Sequence, residues 1–484
     1  MMKRLTALFV FALLVRVLFL DATPFYRDEA LYAEIIDEMI RGGSLIPHYA
    51  GPVAPWKPPL TFWVYSAFVW AFGPISPLPF EVLYRLPSVL LGAICAVLVY
   101  LIVRKVEGED LAILSSLIYS GTALSVFVNR MLLTDSLLSF FVLASFLCYL
   151  KASEGFRWVL LGGLFAGLAV FTKSFAGLFA ILLVVAYYLF YGKKFLRTRN
   201  FMISLAFILL AFTLIFLLVP GADSQYAVDS TQRIFGRDLG YTFGLNLIVF
   251  LGLTLPWLAL ALYGAYKYRR ELEHEKFWLL WLILGSGPLF TNGPLFWYFL
   301  PLIPAISVFS GKVVLAGGRA DESSIIFVIS LTLLSIGILY VAHAAFVSDE
   351  KLDSQRSLGN YLSGKDSLFI GTYSPTAAYY KFRADGDYSL FDTLYLLNTS
   401  RLDASEAKGL IVNSTLPKGS IGIINGILHP YQPGRMHMGG FNKPKEYIAL
   451  GKEAYREYEP LGVFTGFGKS YEDENFIVLR RGNS

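Results

Sequence analysis

The chain has 484 residues, of which 55% are hydrophobic and only 16% charged, with a mean hydropathy of +0.56. Soluble domains carry about 25% charged residues, so this composition excludes an ordinary soluble protein and indicates a membrane-embedded one. A formal charge of +5 argues for topology and not for nucleic acid, because basic residues concentrate in loops between hydrophobic runs, and two cysteines, Cys95 and Cys148, inside such runs supply neither a disulfide framework nor a metal-binding spacing.

Runs long enough to cross ~30 Å of hydrocarbon recur through the first 347 residues. Eleven are expected, at roughly 5–20, 83–104, 110–128, 134–150, 157–172, 174–191, 201–220, 244–264, 277–290, 297–311 and 324–347. Arg16 interrupts the first run and no small-x-small site follows it, which favours a retained anchor over a cleaved signal peptide. With the N-terminus inside, Lys3-Arg4, Arg104-Lys105, Lys151, Arg157, Lys193-Lys194 and Lys312 share one side, as the positive-inside rule expects of the cytoplasm. An odd number of spans then leaves the C-terminal segment outside, together with the turns that carry Asp28 and Asp135.

The first outer loop, roughly 21–82, is long, and loops beyond about 12–15 residues are usually functional. Its segment DEALYAEIIDEMI predicts an amphipathic helix with Leu31, Ile35, Ile36, Met39 and Ile40 on one face and Asp28, Tyr32, Glu34, Asp37 and Glu38 around the others. Arg41-Gly42-Gly43 ends it. The aromatic-rich stretch 58–73, preceded by Lys57, predicts a second helix lying in the membrane interface. Asp28 and Glu29 thus follow the first span at the membrane surface, where chemistry on a lipid-linked substrate needs a base. Asp135, in NRMLLTDS, occupies a comparable turn, so the two acids can converge on the outer face.

From about 348 onward the pattern changes to short β-like runs at 367–371, 409–412, 420–424 and 475–479, with helix-compatible stretches at 375–382 and 446–458. The expected organisation is a membrane domain over 1–347 and an extracytoplasmic α/β domain over 348–484, the latter an accessory without a nucleotide-binding glycine fingerprint. Its two sequons, at Asn398 and Asn413, agree weakly with an outward-facing surface.

The succession RDEALYAE, LIPHYAGPVAPWKPPLTFW, LLTDSLL, VFTKSFAGL, QRIFG, LPW and YFLPLIPAISV resembles the GT-C superfamily of polyprenyl-phosphate-sugar glycosyltransferases over about the first 310 residues. The nearest branches are the aminoarabinose transferases of lipid A and the protein O-mannosyltransferases. The resemblance implies a GT-C fold with Asp28 as catalytic base or acceptor-orienting group. It also implies that Lys57, Lys173, Arg233 and Tyr298 gather around the donor phosphate. All four fall at outer ends or in outer loops on the topology derived from charge alone. Cations there suit a polyprenyl phosphate leaving group, on which negative charge builds. Leu31 stands where the aminoarabinose transferases have an arginine, Trp56 where they have an acid, and Pro294 where they have a lysine. A metal site built on that acid is therefore not supported, although His48 and Glu29 could contribute to another, and a divalent metal stays open. Tyr32 and His48 are further candidates for substrate contact.

Several of these residues have plainer roles. Asp28, Glu29 and Asp135 suit helix N-termini, Lys57 and Lys173 suit interface anchors, and Tyr298 suits an aromatic belt. The expected protein is a multi-pass cell-membrane glycosyltransferase with its N-terminus cytoplasmic. It would move one sugar, with inversion, from a polyprenyl-phosphate donor to a lipid or protein acceptor on the outer face, its charged groups lining one cavity. A lipid or solute transporter or flippase is the alternative, and it would show internal repeats and charges at mid-membrane depth.

The topology is open to a direct check. A cysteine introduced at Ser354 is expected to react with a membrane-impermeant maleimide applied outside, while the stretch from Lys193 to Asn200 stays protected. Labelling of position 354 from the cytoplasm would overturn this orientation.

Overall fold

The computed structural model describes residues 2–18, 20, 23–49, 54, 58–219, 241–268, 275–290, 295–315, 320–349 and 352–363, and beyond these 367–371, 379–380, 383, 391–395, 421–424, 427–430, 447–451, 456 and 467–481. The chain divides into two compact units. Met1–Ala22 joins Pro55–Ala344, and Thr23–Ala54 joins Ala345–Ser484. The segment 23–54 of the first loop therefore packs with the C-terminal segment.

The first unit is helical: α1 (Met2–Val17), α3 (Leu60–Phe72), α4 (Phe80–Val106), α5 (Glu109–Gly121), α6 (Ala123–Val128), α7 (Thr134–Leu150), α8 (Phe156–Lys173), α9 (Phe179–Tyr191), α10 (Arg199–Leu218), α11 (Tyr241–Thr254), α12 (Trp257–Tyr268), α13 (Glu275–Gly285), α14 (Ile303–Leu315) and α15 (Glu322–Asp349), whose last residues pass into the second unit. Helix stands at every one of the eleven expected runs. Among the described residues, five stretches are individually long and apolar enough to cross a membrane, or six if the pair Leu247–Thr254 and Trp257–Tyr268, bent by 82°, counts as one. The others are shorter, as with the 16 residues of α1 and 17 of α7. The protein has a polytopic membrane fold.

Charged residues at the helix ends tie one end of this bundle together. Arg4 and Arg104 both pair with Glu109, at 2.6 and 2.7 Å, and Lys105 pairs with Glu154 at 2.8 Å. Lys312 is buried against Glu107 at 3.2 Å, and the Trp278 indole N–H donates to the same carboxylate at 2.6 Å. The basic loops expected on one side thus share one end. The exception in sequence, Arg16, is fully buried; its guanidinium donates to the Ala12 carbonyl at 2.9 Å and to Ser125 Oγ at 3.0 Å. Gly92 makes room for it, since a Cβ there would lie 2.5 Å from Arg16 Nε and 2.6 Å from Asn129 Cβ.

Small residues also set the helix spacing around α8. Ser145 donates to the Gly162 carbonyl at 2.8 Å, a Cβ on Gly163 would collide with the Ser204 carbonyl of α10, and one on Gly167 would lie 2.6 Å from the Phe207 carbonyl oxygen. Backbone approach of this kind replaces the hydrophobic driving force that lipid does not supply.

In the second unit, α2 (Arg27–Gly42) ends at Gly43, whose φ of 61° is the left-handed conformation that glycine adopts without a Cβ penalty. Leu31, Ile35, Ile36 and Met39 are buried as expected and Ile40 partly so, yet Glu34 and Asp37 from the expected polar faces are buried too, as is Glu29. The C-terminal segment supplies α16 (Leu352–Tyr361) and seven strands: β1 (Ser367–Gly371), β2 (Phe391–Tyr395), β3 (Ile421–Ile424), β4 (Ile427–Pro430), β5 (Tyr447–Gly451), β6 (Phe467–Glu472) and β7 (Phe476–Arg481). They form one sheet in the order β4-β3-β2-β1-β5-β7-β6, with β1 parallel to both β2 and β5 and the other pairs antiparallel. Leu358 and Leu362 pack on Ala449 of β5 and Val478 of β7. The helix-compatible stretch 446–458 therefore begins as an inner strand. Its apolar run YIAL is too short for periodicity to separate helix from strand, and ladders on both sides decide for strand. The expected strand at 409–412 lies outside the described residues, and within 375–382 only 379–380 are described, as helix.

Gly167→Val is expected to destabilise the protein by about 1–3 kcal/mol, because the added side chain must displace the α10 backbone. Thermal unfolding in detergent checks this, and an unchanged midpoint would show that α8 and α10 do not need their close approach.

Candidate functional site

Opposite the basic end, three of the expected residues come together. Asp135 lies in the first turn of α7 and Lys173 is the last residue of α8, so each charge has the sign that its helix end favours. Lys173 Nζ lies 2.6 Å from Asp135 Oδ1, with the two side chains 15% and 4% exposed. The ammonium also sits 4.4 Å from the centre of the Tyr298 ring, within cation–π range. Thr134 Oγ1 donates to Asp135 Oδ2 at 3.3 Å. After Lys173 the chain turns sharply at Ser174, with φ of 48°, and Gly177 folds against the backbone of Ala169 and Val170, where a side chain would not fit. Tyr298 is carried by a 3-10 segment, Phe296–Leu302, anchored by buried Trp297 and Phe299.

The turn ahead of Asp135 is braced from two other helices. Ser88 of α4 donates to the Met131 carbonyl at 2.5 Å, and Tyr65 of α3 donates to the Leu133 carbonyl at 3.3 Å while its hydroxyl lies 2.6 Å from Ser88 Oγ. Trp63 of α3 meets Phe171 of α8 edge-on at 5.3 Å. Sequence reasoning missed this brace, since serine and tyrosine in apolar helices carry no signal of their partners. It also passed over Glu81, Arg85 and Arg130, which are buried near the same turns. Arg85, inside an otherwise apolar run one turn before Ser88, was the available clue.

The remaining described candidates belong to the second unit. Asp28, in the first turn of α2, is partly exposed, and Tyr32, one turn on, is buried. Glu29 Oε2 accepts a hydrogen bond from the Tyr26 backbone N–H at 3.1 Å, so this acid caps the helix. His48 Nδ1 lies 2.7 Å from the Ile46 carbonyl oxygen in a local turn closed by Ser44. Among the described residues no group of three or more His, Cys, Asp or Glu side chains is placed to hold a metal ion. Lys57 and Arg233 lie outside the described residues.

Residues 2–223 match the family profile of dolichyl-phosphate-mannose-protein mannosyltransferase. The chain is 30% identical over 311 residues to undecaprenyl phosphate-alpha-4-amino-4-deoxy-L-arabinose arabinosyl transferase 2 of Proteus mirabilis, a match over 59% of this chain and 54% of the relative. It is 28% identical to the corresponding transferase of Aeromonas hydrophila, over 62% of this chain and 58% of that one. The chain thus spans little more than half the length of these curated relatives. Its fold is similar to that of ArnT from Cupriavidus metallidurans bound to undecaprenyl phosphate, with a TM-score of 0.66 at 16% identity, covering 98% of this chain and 97% of that one. The archaeal oligosaccharyltransferase AglB from Archaeoglobus fulgidus is similar in fold as well, with a TM-score of 0.58 at 12% identity over 99% of this chain and 74% of that one.

Asp135→Leu leaves the Lys173 ammonium buried without its counter-ion and is expected to cost about 3–5 kcal/mol, most of it recovered when Lys173→Met is added. Thermal unfolding of the singles and the double checks this, and strictly additive losses would show that the two charges do not stabilise one another.

Proposed function

We propose that the chain is an ArnT- and PMT-like glycosyltransferase of the GT-C superfamily, which transfers a single sugar from a polyprenyl-phosphate donor to an acceptor at the outer face of the membrane. The observation that carries this reading is the Lys173–Asp135–Tyr298 group, a fixed cation at converging helix ends in an otherwise apolar bundle. Lys173 meets the donor phosphate, and Asp135 and Tyr298 hold its ammonium in place. Lys57 and Arg233 add further positive charge, as their match to the family pattern implies. The isoprenoid tail reaches the site from the bilayer.

In the reaction an acceptor oxygen attacks the anomeric carbon from the face opposite the phosphate. The bond between that carbon and the phosphate oxygen breaks, the polyprenyl phosphate leaves with the electron pair, and the configuration inverts. With a hydroxyl acceptor, Asp28 takes the proton as general base. With an acceptor phosphate, already ionised, Asp28 positions the nucleophile instead. Cations aimed at the leaving phosphate stabilise the charge that develops there. Tyr32, one turn along α2, and His48 complete the acceptor side, while Glu29 shapes the start of the helix. The acceptor is a lipid or a protein, and mass spectrometry of lipids and glycoproteins from cells with and without this chain would identify it.

Two variants separate the roles. Asp28→Asn is expected to leave undecaprenyl phosphate binding intact and lower turnover by about 10²-fold or more. Lys173→Met is expected to weaken undecaprenyl phosphate binding by about tenfold to a hundredfold, the worth of a charge-assisted contact. Near-normal transfer by the first, or unchanged binding by the second in folded protein, would remove that residue from the mechanism.

A further inference from the structure

The C-terminal segment grips α2 at two points. At the start of the helix, the Phe25 ring packs on Tyr379 at 5.5 Å between ring centres, and the Phe25 backbone N–H donates to the Tyr380 hydroxyl at 3.4 Å. Farther along, Asp37 Oδ2 accepts from Arg383 Nη1 at 3.0 Å and from the Tyr379 hydroxyl at 3.2 Å, while Arg41 Nη2 donates to the Arg383 carbonyl at 3.5 Å. Arg383 Nη1 also lies 3.3 Å from the Tyr379 hydroxyl, so one carboxylate, one guanidinium and one phenol form a closed triangle. Asp37 is 6% exposed, and a buried carboxylate held by a guanidinium is a directional joint rather than a solvated surface pair. All of these residues belong to the same compact unit.

Asp28 lies between the two points of attachment. It follows Phe25 by three positions and precedes Asp37 by nine, and at ~100° per residue nine positions place the two acids on opposite sides of the helix. The side that carries Asp37 and Arg41 is tied to the C-terminal segment, and Asp28 is presented on the other, partly exposed. In proteins most of the stability of a helix comes from the packing of its amphipathic face, so α2 takes its orientation from what it packs against.

We propose that Asp37, Arg383 and Tyr379 are positioning residues, which make the C-terminal segment a working part of the transferase by fixing the rotation and height of α2 and so of the Asp28 carboxylate. The proposal rests on Asp28 acting on the acceptor. It assigns to this segment a kinetic role, distinct from donor binding and from general stability.

The test uses the purified full-length protein, with undecaprenyl phosphate as binding probe and single-turnover release of polyprenyl phosphate from a lipid-linked sugar donor as the rate. Arg383→Gln is expected to slow the rate by about tenfold or more, as misplacement by ~1 Å can cost far more than a lost surface contact, with undecaprenyl phosphate binding unchanged within about twofold. Arg383→Lys, which keeps the charge, should restore at least half of the loss. In an Asp28→Asn background, Arg383→Gln should slow the residual rate no further, because the group it positions is gone. A wild-type rate for Arg383→Gln beside an impaired Asp28→Asn would overturn the positioning role and leave the base assignment standing. Full activity of Asp28→Asn would overturn the base assignment, and the proposal with it. Should Arg383→Gln fail to accumulate, Tyr379→Phe carries the same test by deleting a single hydroxyl, with an expected slowing of about threefold and the same binding control.

Discussion

Lys173 and Asp135 place a full positive and a full negative charge 2.6 Å apart inside a bundle whose walls are almost entirely apolar. Neither charge is well solvated there, so each requires the other, and the requirement reaches far beyond the two side chains. The C-terminal end of α8 must meet the N-terminal end of α7, while the glycines of α8 let the α10 backbone approach it closely. The turn ahead of Asp135 must hold its shape, which the hydroxyls of Ser88 and Tyr65 secure by donating to the carbonyls of Met131 and Leu133. The 3-10 segment must bring a ring to the ammonium. Four helices and two irregular segments are thereby locked around one cation.

Asp135 was legible as an acid at the start of a span, Lys173 and Tyr298 entered through the family resemblance, and the pairing of Lys173 with Asp135 was not foreseen. A hydrophobic run announces where it stops, and Asp135 and Lys173 stand at such stops on the same side once positive loop charges fix the topology. What supports them was not legible. Ser88 and Tyr65 sit in spans where serine and tyrosine are common, and their partners are carbonyls many residues away. The strand β5 was hidden for another reason: Tyr447 to Leu450 carry no period that separates strand from helix, and only ladders with β1 and β7 settle the choice. For α2, sequence pattern gave the apolar face correctly and missed that Glu29 and Asp37 are also buried, because their partners are the Tyr26 backbone and Arg383.

Charge placement also bears on the contrast between transfer and transport. A transport path needs ionisable groups at mid-membrane depth that can change partners. Arg16, which interrupts the first hydrophobic run, is fully enclosed, bonded to a carbonyl of its own helix and to Ser125. Among the described residues, the ion pairs of the helical unit lie at its two ends. One end holds the interlocked pairs of Arg4, Arg104, Lys105 and Lys312, which suit a static anchor. The other holds the Lys173 group, and this asymmetry is what a membrane enzyme working at one surface requires.

The second unit solves a problem that the first loop creates. A loop of this length is costly to order, since each backbone residue fixed opposes folding by about 1–2 kcal/mol. Its helix buries polar as well as apolar residues, so hydrophobic contact alone cannot select one orientation. Burial of Asp37 makes the orientation specific, because rotating α2 would take a buried carboxylate away from the Arg383 guanidinium and the Tyr379 hydroxyl. Buried polar joints add little to stability when compared with a well-packed apolar contact, and their value lies in excluding alternatives. Such exclusion holds the opposite side of α2, with the partly exposed Asp28 in its first turn, in one orientation relative to the segment built against it.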